Sequence, residues 1–135
     1  TARKLGKKHP VHLLGIGDPS DIWNLVKDGV DTFDCVSPTR LARHGSALVR
    51  IKEGKININN SEYELSTDPI DKKCGCFTCK NYSLAYLNHL FKSGELLGLQ
   101  LLTAHNIYFM NFLMKTIRDA IKIDKLVEAE VNWYN

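Results

Sequence analysis

The chain has 135 residues, a formal net charge of +3, 44% hydrophobic residues and 24% charged residues. That length carries one domain with a real core, and the composition is ordinary for a soluble globular protein. No apolar run approaches the ~20 residues of a membrane span, and Thr1 to Pro10 carry Arg3, Lys4, Lys7 and Lys8 with no apolar stretch behind them, so these residues are not expected to be a secretory signal.

That first segment reads as a basic arm, either frayed or touching nucleic acid. Val11 to Gly17 is a short apolar run ending in glycines, expected as a buried strand and a tight turn. Asp18-Pro19-Ser20-Asp21 is a helix start, with Asp18 as N-cap and Pro19 at the first helical position. Ile22, Leu25 and Val26 give that helix an apolar face, and Gly29 ends it. Val30 to Val36 is a second short strand carrying Asp31 and Asp34. Strand, helix and strand make one βαβ unit with parallel strands and a right-handed crossover.

Ser37 to Gly45, with Pro38 and no clear period, is expected as a loop. Ala47 to Ile51 and Lys55 to Glu64 alternate imperfectly around Glu53-Gly54, a hairpin signal. Arg40, Arg43, His44, Arg50, Lys52 and Lys55 form a basic segment interrupted only by Glu53, either solvated surface or a phosphate-binding strip. Leu84, Leu87, Leu90 and Phe91 predict a helix over Ser83 to Leu97; Met110, Leu113, Ile117 and Ile121 predict another over His105 to Ile121. Leu126, Val127, Val131, Trp133 and Tyr134 fit a last short helix. Two parallel strands would leave both sheet edges open, so the chain reads as a piece of a larger fold. A closed (β/α)8 barrel, which needs about 250 residues, does not fit in it.

Cys74, Cys76 and Cys79 lie within six residues, and Cys35 stands alone. Three clustered cysteines cannot all pair with one another, and their flanks Asp71, Lys72, Lys73 and Lys80 are charged, so a metal site explains them better than a disulfide or a buried core. A reducing cytoplasm is the expected compartment. Zinc takes four tetrahedral ligands, and Cys₃His is a common structural set. His105 and His89 are the candidates for the fourth. His105 is favoured, because the second long helix is expected to start there and its ring can point out of the helix end. A filled coordination sphere leaves no open position, so one structural Zn²⁺ is expected.

The run Asp31-Thr32-Phe33-Asp34-Cys35-Val36-Ser37-Pro38-Thr39-Arg40-Leu41-Ala42-Arg43-His44-Gly45 closely resembles the signature D-x-F-D-C-V-x-P-T-R-x-A-R-x-G of tRNA-guanine transglycosylases, the queuine tRNA-ribosyltransferases. The cysteine cluster with its distant histidine, Leu14 to Gly17, Asn81 to Leu87 and Thr103 to Ile107 also resemble family segments. The resemblance covers roughly residues 11 to 122.

It implies exchange of guanine at the wobble position of tRNA for queuine or another 7-deazaguanine. The implied α/β fold is the C-terminal part of an irregular (β/α)8 TIM-type barrel with an inserted zinc-binding subdomain of a hairpin and helices. Residues 1–46 would be the last barrel units, 47–122 the hairpin, zinc subdomain and helices, and 123–135 a tail. Family chains are more than twice this length, and their base-reading and acid/base aspartates fall outside this segment.

On spacing alone Asp31 and Asp34 read as turn residues. The resemblance places Asp34 as the nucleophile, with Asp31 and Cys35 structural. It places Thr39, Arg40, Leu41, Ala42 and Arg43, together with Gly15, Ile16, Gly17, Asp18, Pro19, Ser20 and Asp21, against the tRNA anticodon loop. Leu14 and Gly15 would meet the base, with Leu14 standing where the family often has Met. Tyr82, Tyr86 and His89 recur on one side of the first long helix while Leu84, Leu87 and Phe91 supply an apolar face elsewhere. That stripe suggests a partner surface, and the resemblance implies a homodimer there. The alternative function is a zinc-stabilised tRNA-binding module or non-catalytic subunit.

Overall fold

Short β-prone runs flanking one amphipathic helix build the first layer of the computed structural model, which describes residues 9–51 and 53–135. Most of the basic arm and Lys52 lie outside the described residues. Strand β1 (His12–Leu14) runs parallel to β2 (Thr32–Asp34), in the register His12 to Thr32, Leu13 to Phe33 and Leu14 to Asp34. Helix α1 (Pro19–Lys27) connects them. The Asp18 carboxylate caps it by accepting the Ser20 N–H at 3.1 Å. Asp31 accepts the Val11 N–H at 2.7 Å and so secures the entry to β1.

The segment after β2 departs from expectation. Ser37–Arg43 is not a loop but a helix, α2. Pro38 sits in its first turn, where a missing N–H costs nothing. Ala42 is fully buried, so tertiary packing supplies the driving force that the short run lacks in isolation.

The hairpin is present but shorter than expected. Strand β3 (Ser46–Leu48) pairs antiparallel with β4 (Lys55–Asn57). Beyond the last paired residue, Asn57, the Ile58 N–H still reaches the Gly45 carbonyl at 2.7 Å, the Asn57 side chain accepts the Asn59 N–H at 3.0 Å, and a 3₁₀ turn over Ser61–Tyr63 follows.

Helices then dominate: α3 (Phe77–Asn81), α4 (Leu84–Lys92), α5 (Leu96–Lys122) and α6 (Leu126–Tyr134). The Ser83 hydroxyl caps α4. Gly94, at φ 71°, breaks the chain before α5, and the Glu95 N–H returns to the Leu90 carbonyl. The helix expected over Ser83 to Leu97 therefore ends at Lys92, and α5 takes Leu96 and Leu97 and begins well before His105, so both expected boundaries are corrected. Helix α5 is the longest helix described, yet no described helix is long and apolar enough to cross a membrane.

Two apolar clusters share β3 and α5. One gathers Ala42, Ala47, Val49, Ile58, Leu84, Leu87, Leu90, Leu101 and Leu102. The other gathers Ile22, Trp23, Leu48, Phe109, Leu113, Ile117 and Trp133. Ala47 and Leu48, adjacent on β3, point to opposite clusters, as strand alternation requires. Trp133 docks α6 by edge contacts with Trp23 at 6.4 Å and Phe109 at 5.4 Å, and Lys27 pairs with Glu130 alongside.

Asn106, fully buried between the clusters, joins the parts. Its oxygen accepts the Leu48 N–H at 2.9 Å, and its amide donates to the carbonyls of Pro38 at 2.9 Å and Ser46 at 3.0 Å. Replacing Asn106 by Leu keeps the approximate volume and orphans three backbone groups. At ~1–3 kcal/mol per orphaned buried group, the variant should lose about 3 kcal/mol or more of unfolding free energy in a urea titration. A loss under about 1 kcal/mol would show that these groups find other partners.

Candidate functional site

The cysteine segment is held at both ends before any metal enters. The Cys74 N–H donates to the Asp71 carbonyl at 3.0 Å, closing the turn that presents Cys74. Cys76 is the N-cap of α3, its sulfur accepting the Cys79 N–H at 3.3 Å, which brings those two sulfurs to one side. Thr78, fully buried, donates its hydroxyl to the Leu101 carbonyl at 2.7 Å and so fastens α3 to α5 one turn before His105. Gly75 matters for a neighbour rather than for a turn: a Cβ there would stand 2.8 Å from the Tyr108 hydroxyl.

His105 lies inside α5, fully buried, and not at a helix end as expected. Its Nε2 donates to the Leu48 carbonyl at 2.8 Å, which leaves Nδ1 free to face the sulfurs. Nδ1 stands 3.8 Å from Cys74 Sγ, 3.4 Å from Cys76 Sγ and 3.4 Å from Cys79 Sγ. All four donor atoms lie within 4.8 Å of one another. A tetrahedron with Zn–S of ~2.3 Å and Zn–N of ~2.0 Å has edges of about 3.5–3.8 Å, so the cage is zinc-sized. His89, the other candidate, is exposed on α4 and takes no part.

With no ion between them, the four groups compete for protons. Hydrogen bonds from Cys74 and Cys79 hold the Cys76 thiol far below its ordinary range, and contact with Cys74 and Cys76 pushes Cys79 far above its own. Burial pulls His105 down, but the sulfurs of Cys74 and Cys76 and the Leu48 carbonyl together raise it to about 9. Three sulfurs this close cannot all ionise without a cation between them. A divalent ion that prefers thiolate and imidazole satisfies the set, and zinc is that ion. Four protein donors leave it no open position, so its role is structural.

The remaining singled-out residues divide. Leu14 and Asp34 are register partners at the carboxyl ends of β1 and β2, and both are exposed. The Gly15 N–H donates to the Asp34 carbonyl at 2.7 Å. Ile16 is half-buried and Gly17 and Pro19 are buried, whereas Asp18, Ser20 and Asp21 are exposed. Arg40 and Arg43 project from α2 into solvent, with no ion-pair partner among the described residues. Thr39 returns its hydroxyl to the Val36 carbonyl at 3.1 Å. Leu41 is half-buried and Ala42 lies in the core, so neither offers the side chain to a ligand that Arg40 and Arg43 do. Cys35 is half-buried and its sulfur accepts the Ser37 N–H at 3.3 Å, a turn contact. Tyr82 precedes α4, half-buried and stacked on the exposed Tyr86 with ring centres 5.3 Å apart. Reading the residues one by one missed Asn106 and Leu48: a polar residue inside an apolar helical run was the available signal for the first, and nothing in the sequence marks a backbone carbonyl as a histidine's partner.

Metal analysis of the purified protein should return one zinc per chain. Chelation should melt the region from 74 to 105, since structural zinc contributes folding energy directly. His105→Ala should lose zinc and His89→Ala should keep it. The reverse pattern would assign the wrong histidine.

A family model described as queuine tRNA-ribosyltransferase matches residues 1–135, the whole chain. Among curated relatives named queuine tRNA-ribosyltransferase, that of Thermosipho africanus is 49% identical over 128 residues, 95% of this chain and 34% of the relative. Those of Fusobacterium nucleatum and Clostridium acetobutylicum are 46% and 50% identical over 93% and 89% of this chain, and 33% and 31% of their own lengths. The chain thus spans about a third of the length of the curated relatives it matches. With a match across its whole length, the cysteine–histidine cage and the signature running from β2 into α2, the chain belongs to the queuine tRNA-ribosyltransferase family.

Proposed function

We propose that this chain works as the carboxyl-terminal part of a tRNA-guanine transglycosylase, which exchanges guanine at the anticodon wobble position for queuine or a 7-deazaguanine precursor. The observation that carries this reading is Asp34: it ends β2, exposed, beside Leu14 and at the head of the helix bearing Arg40 and Arg43. In this reading β1 and β2 are late strands of a larger (β/α)8 barrel, whose chemistry gathers at the carboxyl ends of its strands. The zinc holds the adjoining subdomain and takes no part in bond making.

The chemistry follows from the anomeric carbon. Asp34 attacks C1′ of the ribose, the C1′–N9 bond breaks, and guanine leaves with the bonding pair and a proton from an acid outside this segment. The new C–O bond makes a ribosyl ester. The incoming base then attacks C1′ through its ring nitrogen, giving its own N–H proton to a base outside this segment, and the C1′–O bond breaks with its pair returning to the Asp34 carboxylate. Two inversions at one carbon preserve the configuration, the logic of a retaining glycosidase.

Arg40 and Arg43, one helical turn apart, are placed to meet phosphates or base edges of an unstacked anticodon loop. Exposed Asp18, Ser20 and Asp21 and the Gly15–Gly17 turn line the same end of β1 and support the same contact. Leu14 is proposed to pack on the base. The aromatic group of Phe77, Tyr82 and Tyr86 with His89 is proposed as a surface for a second copy; Phe77 is 63% exposed and meets Tyr82 edge-on at 5.9 Å. Three ionised thiolates fit a reducing cytoplasm.

In the full-length enzyme, Asp34→Asn should lower base exchange by several orders of magnitude while tRNA still binds, because an amide is a poor nucleophile and a poor stabiliser of a cationic sugar. Incubation with tRNA and a 7-deazaguanine analogue, followed by denaturation, should trap a protein–RNA adduct that Asp34→Asn lacks. An adduct that survives in Asp34→Asn but vanishes in Asp31→Asn would move the role to the other aspartate. Arg40→Ala and Arg43→Ala should weaken tRNA binding and make it less sensitive to salt, the log–log slope falling by about one for each phosphate no longer neutralised. Unchanged binding in both would return α2 to ordinary surface.

A further inference from the structure

We propose that Arg50 is a positioning residue for the metal centre: through Asp71 it holds the turn that presents Cys74, so β3 and the residues just after it set both halves of the zinc cage. The inference rests on zinc occupying the four-donor site. One half is the histidine, whose ring is oriented by the Leu48 carbonyl. Arg50, two residues further on, reaches the other half. Its Nε donates to Asp71 Oδ2 at 2.9 Å and its Nη2 to Asp71 Oδ1 at 3.2 Å, a two-pronged pair. Asp71 spends its remaining acceptors on the turn itself: Oδ1 takes the Lys73 N–H at 2.7 Å, and its carbonyl takes the Cys74 N–H at 3.0 Å. Moving the carboxylate therefore moves the peptide that carries the first sulfur.

The pair is built to stay in place. The Arg50 and Asp71 side chains are only 16% and 11% exposed, so removing one leaves the other charge poorly solvated. The guanidinium carbon lies 5.7 Å from the Phe112 ring centre and 5.6 Å from that of Trp133, which restrict it by stacking. An ammonium could not satisfy the fork and the stack together. The neighbouring pair Lys72–Asp68 contrasts with it: those side chains are 72% and 55% exposed.

The test is zinc competition with a chromophoric chelator, together with absorption of the cobalt-loaded form, on the full-length protein. Arg50→Met and Asp71→Asn should each weaken zinc binding about 10–100-fold, the usual effect of losing an outer partner of a metal ligand. Both should alter the thiolate-to-cobalt bands, the double variant should be no weaker than the more affected single, and Arg50→Lys should recover only part. Lys72→Met should change nothing. Leu113→Ala, in the core away from the turn, should lower thermal stability and leave the cobalt spectrum as it was. Unchanged affinity and spectrum in Asp71→Asn would overturn the proposal, and that variant decides alone if Arg50→Met does not fold. An equal loss of affinity in Leu113→Ala would overturn it too, by reducing the pair to general stability. A parent protein that binds no zinc would instead remove the metal reading on which the proposal rests.

Discussion

Two adjacent polar side chains buried on one helix, His105 and Asn106, hold the rest of the structure in register. Successive residues on a helix point about 100° apart, so the pair faces two ways at once. His105 turns toward the cysteine segment, and Asn106 toward α2 and β3. Both reach the backbone of β3: Leu48 gives its N–H to Asn106 and receives the His105 N–H on its carbonyl. Ser46 and Leu48 thus direct backbone groups at α5, so side chains of a helix complete the outer edge of a two-stranded hairpin. An edge left open would be a template for unwanted pairing. Here it is also the frame that orients a metal ligand.

The parallel pair is finished differently. β1 and β2 are three residues each, too short and too few to stand alone. What ties them to the zinc-bearing half is helical packing: α1 buries Ile22 and Trp23 against α5 and α6, with Lys27 pairing to Glu130 beside them. The strand ends then stay clear of the core. Leu14 is 71% exposed and Val36 55% exposed, which an isolated domain would bury, while Asp34 stands exposed between them in sequence. On the proposed reading, that exposed carboxylate and its apolar neighbours are where a substrate base and more of the barrel would be met.

The metal centre compensates for a local shortage of apolar side chains. Between Asp71 and Asn81, only Cys76 and Thr78 are buried. Such a segment could not hold its shape by hydrophobic burial, and hydrogen bonds to Asp71, Cys76 and Leu101 supply direction more than energy. A closed Cys₃His set provides that energy while leaving no site for chemistry. Through His105 and Asn106 that segment is linked by way of α5 to β3 and α2, the helix that carries Arg40 and Arg43. The zinc half and the proposed RNA-contacting half are therefore parts of one mechanical unit, joined through a few buried side chains.

Much of this was legible in the residues alone. The spacing of Cys74, Cys76 and Cys79, the strand–helix–strand order from 11 to 36 and the cap at Asp18 are set by local chemistry, and local chemistry can be read from sequence; the burial expected of the first strand was not met, since His12 and Leu14 are exposed. Choosing His105 over His89 also succeeded, but for a reason the structure replaced: its ring does not project from a helix end, it faces the sulfurs from within α5. Two features were decided only by tertiary contacts. Ser37–Arg43 became a helix because Ala42 could be buried and Asn106 could hold the Pro38 carbonyl, neither of which leaves a periodic trace. The partners of the buried polar groups, Leu48 for His105 and Ser46 and Pro38 for Asn106, are backbone atoms. Every residue carries the same backbone donor and acceptor, so a sequence can show that a buried histidine or asparagine needs partners, and only the folded chain can decide which carbonyls they are.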